Sequence, residues 1–157
     1  MNSEGKSDLI LKIELVPQTS WYSNLRSNIS TSDWDKLRKQ VYSQYQNVCG
    51  ICGSQGRLDC HENWEYDDKK HVQKLRGFIA LCDICHHVKH IGYAGILAQQ
   101  GKLDFEKVID HFMKVNNCDK TTFKAFHEEA FAQWRERSLH QWKVDLGDYK
   151  TIVKEKE

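Results

Sequence analysis

Two closely spaced cysteine pairs constrain this chain more than any other feature. Cys49 and Cys52 form one C-x-x-C pair, and Cys82 and Cys85 form a second. Two residues between paired cysteines allow both sulfurs to reach one tetrahedral ion, and four thiolates leave that ion no open coordination position. We therefore expect these four residues to form a structural zinc site that contributes its binding free energy directly to folding.

The remaining composition is typical of a cytoplasmic protein. Of 157 residues, 39% are hydrophobic and 29% are charged, so one domain covering residues 1–157 is expected. The apolar run Leu9 to Val16 is short and interrupted by charges, which predicts neither a signal peptide nor a membrane span. In a reducing compartment, cysteines favour metal binding over disulfides, and Cys60 and Cys118 are expected to be small buried thiols.

A histidine pair directly follows the second cysteine pair. His86 and His90 are four residues apart on a predicted helix, which places both imidazoles on one face. His61, on a predicted strand between the cysteine pairs, offers a third imidazole. A site without further thiolates keeps open positions for water and phosphate oxygens. We therefore expect a second divalent ion here, Mg²⁺, Mn²⁺ or Zn²⁺, while His87 points elsewhere as a phosphate or surface contact.

The order of these motifs resembles the zinc-containing HNH endonucleases over residues 49–92. A cysteine pair is followed by a strand with a histidine, an apolar run, a second cysteine pair and His-x-x-x-His. The resemblance implies an α+β fold with a small zinc-stapled ββα-metal core. An N-terminal strand and helix in residues 1–48 and C-terminal helices in residues 93–157 would flank that core. It further implies a metal-dependent endonuclease that hydrolyses phosphodiester bonds of nucleic acid, with DNA favoured over RNA.

The resemblance leaves two assignments for the general base. It places His61 at a metal-ligand position and Glu62 at the position of the base; alternatively, His61 is the base. Gly77 stands where the family has an asparagine that orients the base, so that hydrogen-bond partner is either missing or supplied from elsewhere, with His71 and Asp67 as the candidates. The predicted catalytic residues are His61, Glu62, His86 and His90.

The net charge of the chain gives little evidence that it binds nucleic acid. The chain carries a net charge of only +1, whereas a general affinity for nucleic acid usually needs a clear basic surplus. Any basic surface for nucleic acid must therefore be local. One local patch of basic residues is interpreted either as a contact for substrate phosphates or as a solvated charged surface. Its members, predicted to bind substrate, are Lys69, Lys70, Lys74, Arg76 and Lys89.

The flanking segments show strand-like and helical spacing. Leu11 to Leu15 and Trp142 to Leu146 alternate apolar and charged residues, which predicts two strands that pair with each other. A helix capped by Ser30, Thr31 or Ser32 is predicted before the cysteines. The predicted C-terminal helices are residues 94–100, one marked by Phe105, Val108, Ile109 and Phe112, and a longer one after Asp119 or Thr121 that buries Phe123, Phe126, Ala130, Phe131, Trp134 and Leu139.

Two further functions stay open at this point. The first is a non-catalytic zinc module that binds nucleic acid or protein, which Gly77, Glu62 and the near-neutral charge favour. It predicts one metal ion per chain. The second is an accessory nuclease subunit that cuts only when a partner protein delivers the substrate.

Overall fold

After the amino-terminal segment, one helix leads to a strand hairpin, which is followed by four consecutive helices and a short third strand. The computed structural model describes residues 9–152. Its helices and strands in chain order are α1 (Thr31–Gln44), β1 (Leu58–Asp67), β2 (Val72–Cys82), α2 (Asp83–Lys89), α3 (Ile91–Gln99), α4 (Phe105–Asn116), α5 (Lys120–Arg137) and β3 (Lys143–Asp145). The predicted α+β class is confirmed. Within the described residues, no helix is both long and apolar enough to cross a membrane.

β1 and β2 form a long antiparallel hairpin that leads directly into α2. The register runs from Leu58 opposite Cys82 to Asp67 opposite Val72. α2 starts at the residue after β2, so the second cysteine pair spans the junction of strand and helix. Because β1 also contacts α2, side chains of the first strand face the helix that follows the second.

The sheet has a third strand, but its partner differs from the prediction. β3 runs parallel to β2, with Val72 beside Lys143 and Lys74 beside Asp145. The predicted pairing of this strand with residues 11–15 is wrong, because residues 11–15 form no strand.

Side chains, rather than a neighbouring strand, fix the amino-terminal segment. The Asn116 side-chain oxygen on α4 accepts hydrogen bonds from the backbone N–H groups of Ile10 at 3.0 Å and Leu11 at 2.9 Å. Its amide nitrogen donates to the Leu11 carbonyl at 2.9 Å. Further along, the Glu14 N–H donates to the Lys89 carbonyl at 3.0 Å. These contacts satisfy backbone groups that a strand would otherwise pair, so the alternating pattern reflects one-sided burial without a sheet.

The predicted starts of α1 and α5 are confirmed by their capping residues. The side chains of Ser30 and Asp119 accept hydrogen bonds from backbone N–H groups in the first turns of these helices, and Asp104 does the same for α4. Such caps satisfy donors that have no partner within the helix. α3 starts at Ile91, earlier than predicted, and only His90 separates it from the end of α2.

The principal core joins the cysteine pairs to the C-terminal helices. Phe112 on α4 is fully buried, and its ring lies edge-on to Phe123 with 5.2 Å between centroids. The buried members of this core are Leu11, Cys49, Leu81, Cys82, Cys85, Val88, Ile91, Val108, Ile109, Phe112 and Phe123. A smaller core contains Leu25, Ile29, Trp34 and Leu75. The cysteine pairs are therefore held by apolar packing from both flanks.

Replacing Phe112 by alanine should lower the free energy of unfolding by about 3–5 kcal/mol, because it leaves a cavity in this core. Leu139 is the control, since it is 75% exposed, contrary to its predicted burial, because α5 ends before it. The Leu139→Ala change should stay within about 0.5 kcal/mol of wild type. Urea denaturation measures both variants, and equal small losses would contradict this description of the core.

Candidate metal centres

The four cysteine sulfurs lie close together between two parts of the chain. One is the turn that contains Cys49 and Cys52, which we call the first cysteine turn, and the other is the start of α2. The Sγ atoms of Cys49, Cys52, Cys82 and Cys85 all lie within 4.8 Å of one another, and those of Cys52 and Cys82 are 3.6 Å apart. Zinc–sulfur bonds of about 2.3 Å place tetrahedral sulfurs about 3.8 Å apart. The predicted set is therefore confirmed as a cluster compatible with one structural zinc ion, and its thiols form no disulfide.

Backbone contacts build the first cysteine turn. The Cys49 Sγ accepts a hydrogen bond from the Cys52 N–H at 3.5 Å, and the Gly53 N–H donates to the Cys49 carbonyl at 3.0 Å. Gly53 has φ = 77°, a conformation that a side chain disfavours. A Cβ at Gly50 would lie 2.7 Å from the Tyr45 ring, so glycine there permits close packing against the residue that ends α1.

Hydrogen bonds and burial shift the pKa values of three of the four sulfurs. A hydrogen bond from Cys85 lowers the pKa of Cys49 to about 3, although burial opposes this shift. The same hydrogen bond, together with burial, raises the pKa of Cys85, and burial raises the pKa of Cys82. These surroundings therefore favour the neutral thiol forms of Cys82 and Cys85. A zinc ion would favour the charged form of every sulfur, so this donor set fits zinc.

Three histidines form a second cluster beside the first. His61 lies on β1, His86 on α2 and His90 at the end of α2, with ring centroids 5.6, 5.0 and 4.8 Å apart. One ring nitrogen of each histidine lies within 4.8 Å of a ring nitrogen of each of the other two histidines. The structure thus brings together the three imidazoles that the sequence singled out. Because Cys85 and His86 are consecutive, one short helix carries members of both clusters.

Two carboxylates hold the imidazoles in place. A Glu14 oxygen lies 3.1 Å from His61 Nε2, and an Asp59 oxygen lies 3.2 Å from His86 Nδ1. The second Glu14 oxygen accepts from Lys89 Nζ at 2.9 Å. Although burial favours the neutral acid, the contacts with His61 and Lys89 lower the pKa of Glu14 to about 2. Carboxylates in these positions fix which ring nitrogen of a histidine is available to an ion.

Two of the three imidazoles, those of His61 and His90, are largely shielded from water. The His61 side chain is 4% exposed, and burial lowers its pKa. Burial also lowers the pKa of His90, to about 3. Both imidazoles are therefore neutral near pH 7, which is the form that binds metal ions. All three rings line a cleft of about 370 Å³.

Glu62 follows His61 on β1 and lines the same cleft. Its Oε1 accepts the Leu25 N–H at 2.7 Å. Burial raises the pKa of Glu62, although backbone hydrogen bonds from Leu25 and Arg26 act against that rise. Gly77 supplies no side chain that could orient this carboxylate. The backbone of the loop before α1 therefore orients Glu62.

His71 and Asp67 do not take that role, so this prediction is wrong. Asp67 accepts two backbone N–H groups of the hairpin turn, each at 3.0 Å. His71 stacks on His140 with ring centroids 4.2 Å apart. At about 3.3 Å per strand residue, the turn lies about 20 Å from His61. Both residues are consequently too far away to contact Glu62.

Lys89 also departs from its prediction as a phosphate contact. It is 5% exposed, and its ammonium group is held by Glu14 at 2.9 Å. A buried, paired cation on the inner side of α2 has no free surface to offer a substrate. Its contact with Glu14 instead supports the carboxylate that holds His61.

The rest of the predicted basic patch lies away from the cleft. Lys69 and Lys70 are exposed in the hairpin turn, and Lys74 is half-buried opposite Glu65. Arg76 donates to both Glu65 oxygens, at 2.9 and 2.8 Å. The structure therefore does not gather these side chains around the histidines.

The remaining singled-out residues lie outside both clusters. Cys60 and Cys118 are half-buried, and burial raises the pKa of each, to about 12 for Cys60. Neither is therefore a ready thiolate. His87 lies 3.5 Å from Asp83, one turn earlier on α2, and lines the edge of the cleft.

The sequence analysis did not identify three residues whose side chains contact the histidine and cysteine clusters. Asp59 lies two positions before His61 on the same face of β1, so strand alternation contained a signal for it. Glu14 precedes the motif by a long stretch of chain, and no spacing rule points to it. His111 on α4 places Nε2 3.1 Å from the Cys85 Sγ, a contact suited to orienting a metal-binding sulfur.

Comparison with known proteins does not assign a family. The chain matches no protein-family model, no curated protein and no solved structure. Function is therefore inferred from the two clusters and the cleft.

Proposed function

We propose that this protein is a metal-dependent HNH-type endonuclease that hydrolyses phosphodiester bonds of nucleic acid, with DNA as the expected substrate. The observation that carries the proposal is the convergence of His61, His86 and His90 beside Glu62 in one cleft. A hairpin that continues into a short helix, next to four clustered cysteines, supports the ββα-metal assignment.

The three histidines and Glu62 have different roles in this proposal. His61, His86 and His90 would hold a divalent ion, which when bound supplies Lewis-acid stabilisation of negative charge on the phosphate. Glu62 accepts a proton from water as the water oxygen bonds to phosphorus and the bond from phosphorus to the leaving oxygen breaks. Burial suits Glu62 to this task, because a carboxylate with a raised pKa is a stronger base.

The surrounding residues position those that act. Glu14 and Asp59 orient the rings of His61 and His86, as carboxylates do for metal-binding histidines. The four cysteines would hold a zinc ion with no open position, and so have a structural role. Since Cys85 directly precedes His86, that ion would also fix the helix that carries the histidine pair.

Metal content and cleavage, measured together, test the proposal. Wild type is expected to bind a structural zinc and a second divalent ion and to cleave plasmid DNA in Mg²⁺, Mn²⁺ or Zn²⁺. The His86→Ala, His90→Ala double variant should keep only the zinc and lose cleavage, because two of three imidazoles are removed. The control is a His71→Ala, His140→Ala variant, whose stacked rings lie at the hairpin turn; it should retain both ions and activity.

Other outcomes favour the other two functions. One zinc in both wild type and the double variant, without cleavage, would support a zinc module that binds nucleic acid or protein. Cleavage that requires an added partner protein would support an accessory nuclease subunit.

A further inference from the structure

The cleft over the histidines adjoins a cavity on each side. Toward α1 it shares Arg26, Asp59 and His86 with a cavity of about 480 Å³. Toward α3 it shares Trp21 and His90 with a cavity of about 560 Å³. The three histidines therefore line the central one of three adjoining cavities, which together we call the groove.

The side toward α1, which we call the arginine arm, is lined by Arg26, Arg38 and Arg57. Arg57 is 87% exposed and lies 3.8 Å from Asp59, while Arg38 contacts Asp35 through its Nε at 2.8 Å. Three guanidinium groups facing two carboxylates leave this arm with a net positive charge. Guanidinium groups bind phosphate oxygens in a planar, often bidentate geometry. The arginine arm therefore has the chemistry of a phosphate-binding surface.

The side toward α3, which we call the aromatic arm, is lined by Trp21, Tyr22 and Tyr93 over a floor that includes Phe131 and Trp134. The exposed fractions of Trp21, Tyr22 and Tyr93 are 41%, 82% and 53%. Large aromatic side chains left this open offer flat faces for stacking. Stacking on aromatic side chains is how proteins hold bases of unpaired nucleic acid without reading their sequence.

We propose that the substrate crosses this groove as an unpaired strand, with its phosphates on the arginine arm and a base stacked in the aromatic arm. This inference rests on the proposed function, which places the scissile phosphate at the histidines between the two arms. In a duplex, bases are stacked inside the helix and reach a side groove only after leaving it. Arginines on one side of the histidines and exposed aromatics on the other therefore fit a single strand.

Binding of two fluorescent probes tests the proposal: a single-stranded oligodeoxythymidine and a blunt DNA duplex of the same length. The full-length, zinc-loaded protein is used without added Mg²⁺ or Mn²⁺, and fluorescence anisotropy gives each Kd. The Tyr22→Ala, Tyr93→Ala variant should bind the single strand about tenfold more weakly, while its duplex Kd changes by less than about twofold. The Tyr22→Phe, Tyr93→Phe variant keeps the ring faces and should bind the single strand like wild type.

The arginine arm has its own variant and control. The Arg38→Ala, Arg57→Ala variant should weaken single-strand binding and reduce the dependence of log Kd on log salt by about 1.4, as expected for two lost phosphate contacts. The Lys69→Ala, Lys70→Ala variant removes the same charge at the hairpin turn and should leave single-strand binding unchanged. A larger effect from the lysines than from the arginines would overturn the proposed path.

Failure of this inference is distinguishable from failure of hydrolysis. The inference is overturned if the Tyr22→Ala, Tyr93→Ala variant binds the single strand as tightly as wild type, or if neither probe binds wild type. Single-strand binding that depends on these tyrosines, without cleavage in any metal, would support the groove and reject the nuclease. Metal-dependent duplex cleavage that is unaffected in the tyrosine variant would support the nuclease and reject the groove.

Discussion

The Cys85→Ser variant is expected to be unfolded at room temperature. Apparent binding free energies of structural zinc sites are about 10–16 kcal/mol, which is comparable to the whole stability of a typical domain. Cys85 is fully buried, and its sulfur belongs to the four-cysteine cluster. A hydroxyl in its place is a poor zinc ligand and leaves a polar group inside the principal core. Circular dichroism and elemental analysis should therefore show loss of both helical signal and zinc.

Cys118→Ser is the matched control for this experiment. Cys118 is half-buried and lies outside the cluster, so its variant should keep the zinc content and the melting temperature of wild type. Treating wild type with a strong zinc chelator should reproduce the unfolding of Cys85→Ser. A Cys85→Ser protein that melts like wild type and retains zinc would refute a structural role for the cluster.

The Glu62→Gln variant is expected to cleave DNA about 10²–10⁴-fold more slowly than wild type, the usual contribution of a general base. The amide cannot accept the proton that the proposed reaction removes from water. It can still accept the hydrogen bond that Leu25 donates to Glu62, so folding should be preserved. Single-turnover rates on plasmid DNA measure the effect, with metal content as the check that the histidines still bind an ion.

Glu65→Gln serves as the control, because Glu65 lies on the same strand but is exposed and paired with Arg76. Its cleavage rate should match wild type. If Glu62→Gln also cleaved at the wild-type rate, His61 would be the base, which is the alternative that the family resemblance leaves open. His61→Ala would then abolish cleavage while His86 and His90 still contribute to metal binding.

Features that depend on neighbouring residues could be predicted from the sequence. The spacing of Cys82 and Cys85, and the four-residue step from His86 to His90, are set by local backbone geometry. The Ser30 cap is local in the same sense, since it involves the first turn of its own helix. In each case the residues that act together lie within one turn of the chain, so their spacing in the sequence predicts their relative positions.

Features that depend on distant packing could not be predicted in this way. Glu14 reaches His61 because contacts with Asn116 on α4 and with Lys89 fix the amino-terminal segment. The alternation of apolar and charged residues over 11–15 indicates that one side of this segment is buried. A strand shows this pattern, but so does an irregular segment that packs against the core. Lys89 resembled a surface cation because spacing does not reveal that Glu14 covers it.

The ion pair between Glu14 and Lys89 has a consequence for transplanting this metal core into another protein. Residues 49–92 contain both ligand clusters, yet Leu11, Glu14 and Phe112 belong to the surroundings in which α2 is buried. A fragment limited to residues 49–92 would lack the Glu14 carboxylate that holds His61. It would also lack Leu11 and Phe112, which belong to the apolar surroundings of α2. A functional graft therefore has to carry the amino-terminal segment and α4 with the motif, which makes the bare motif a poor unit for exchange between proteins.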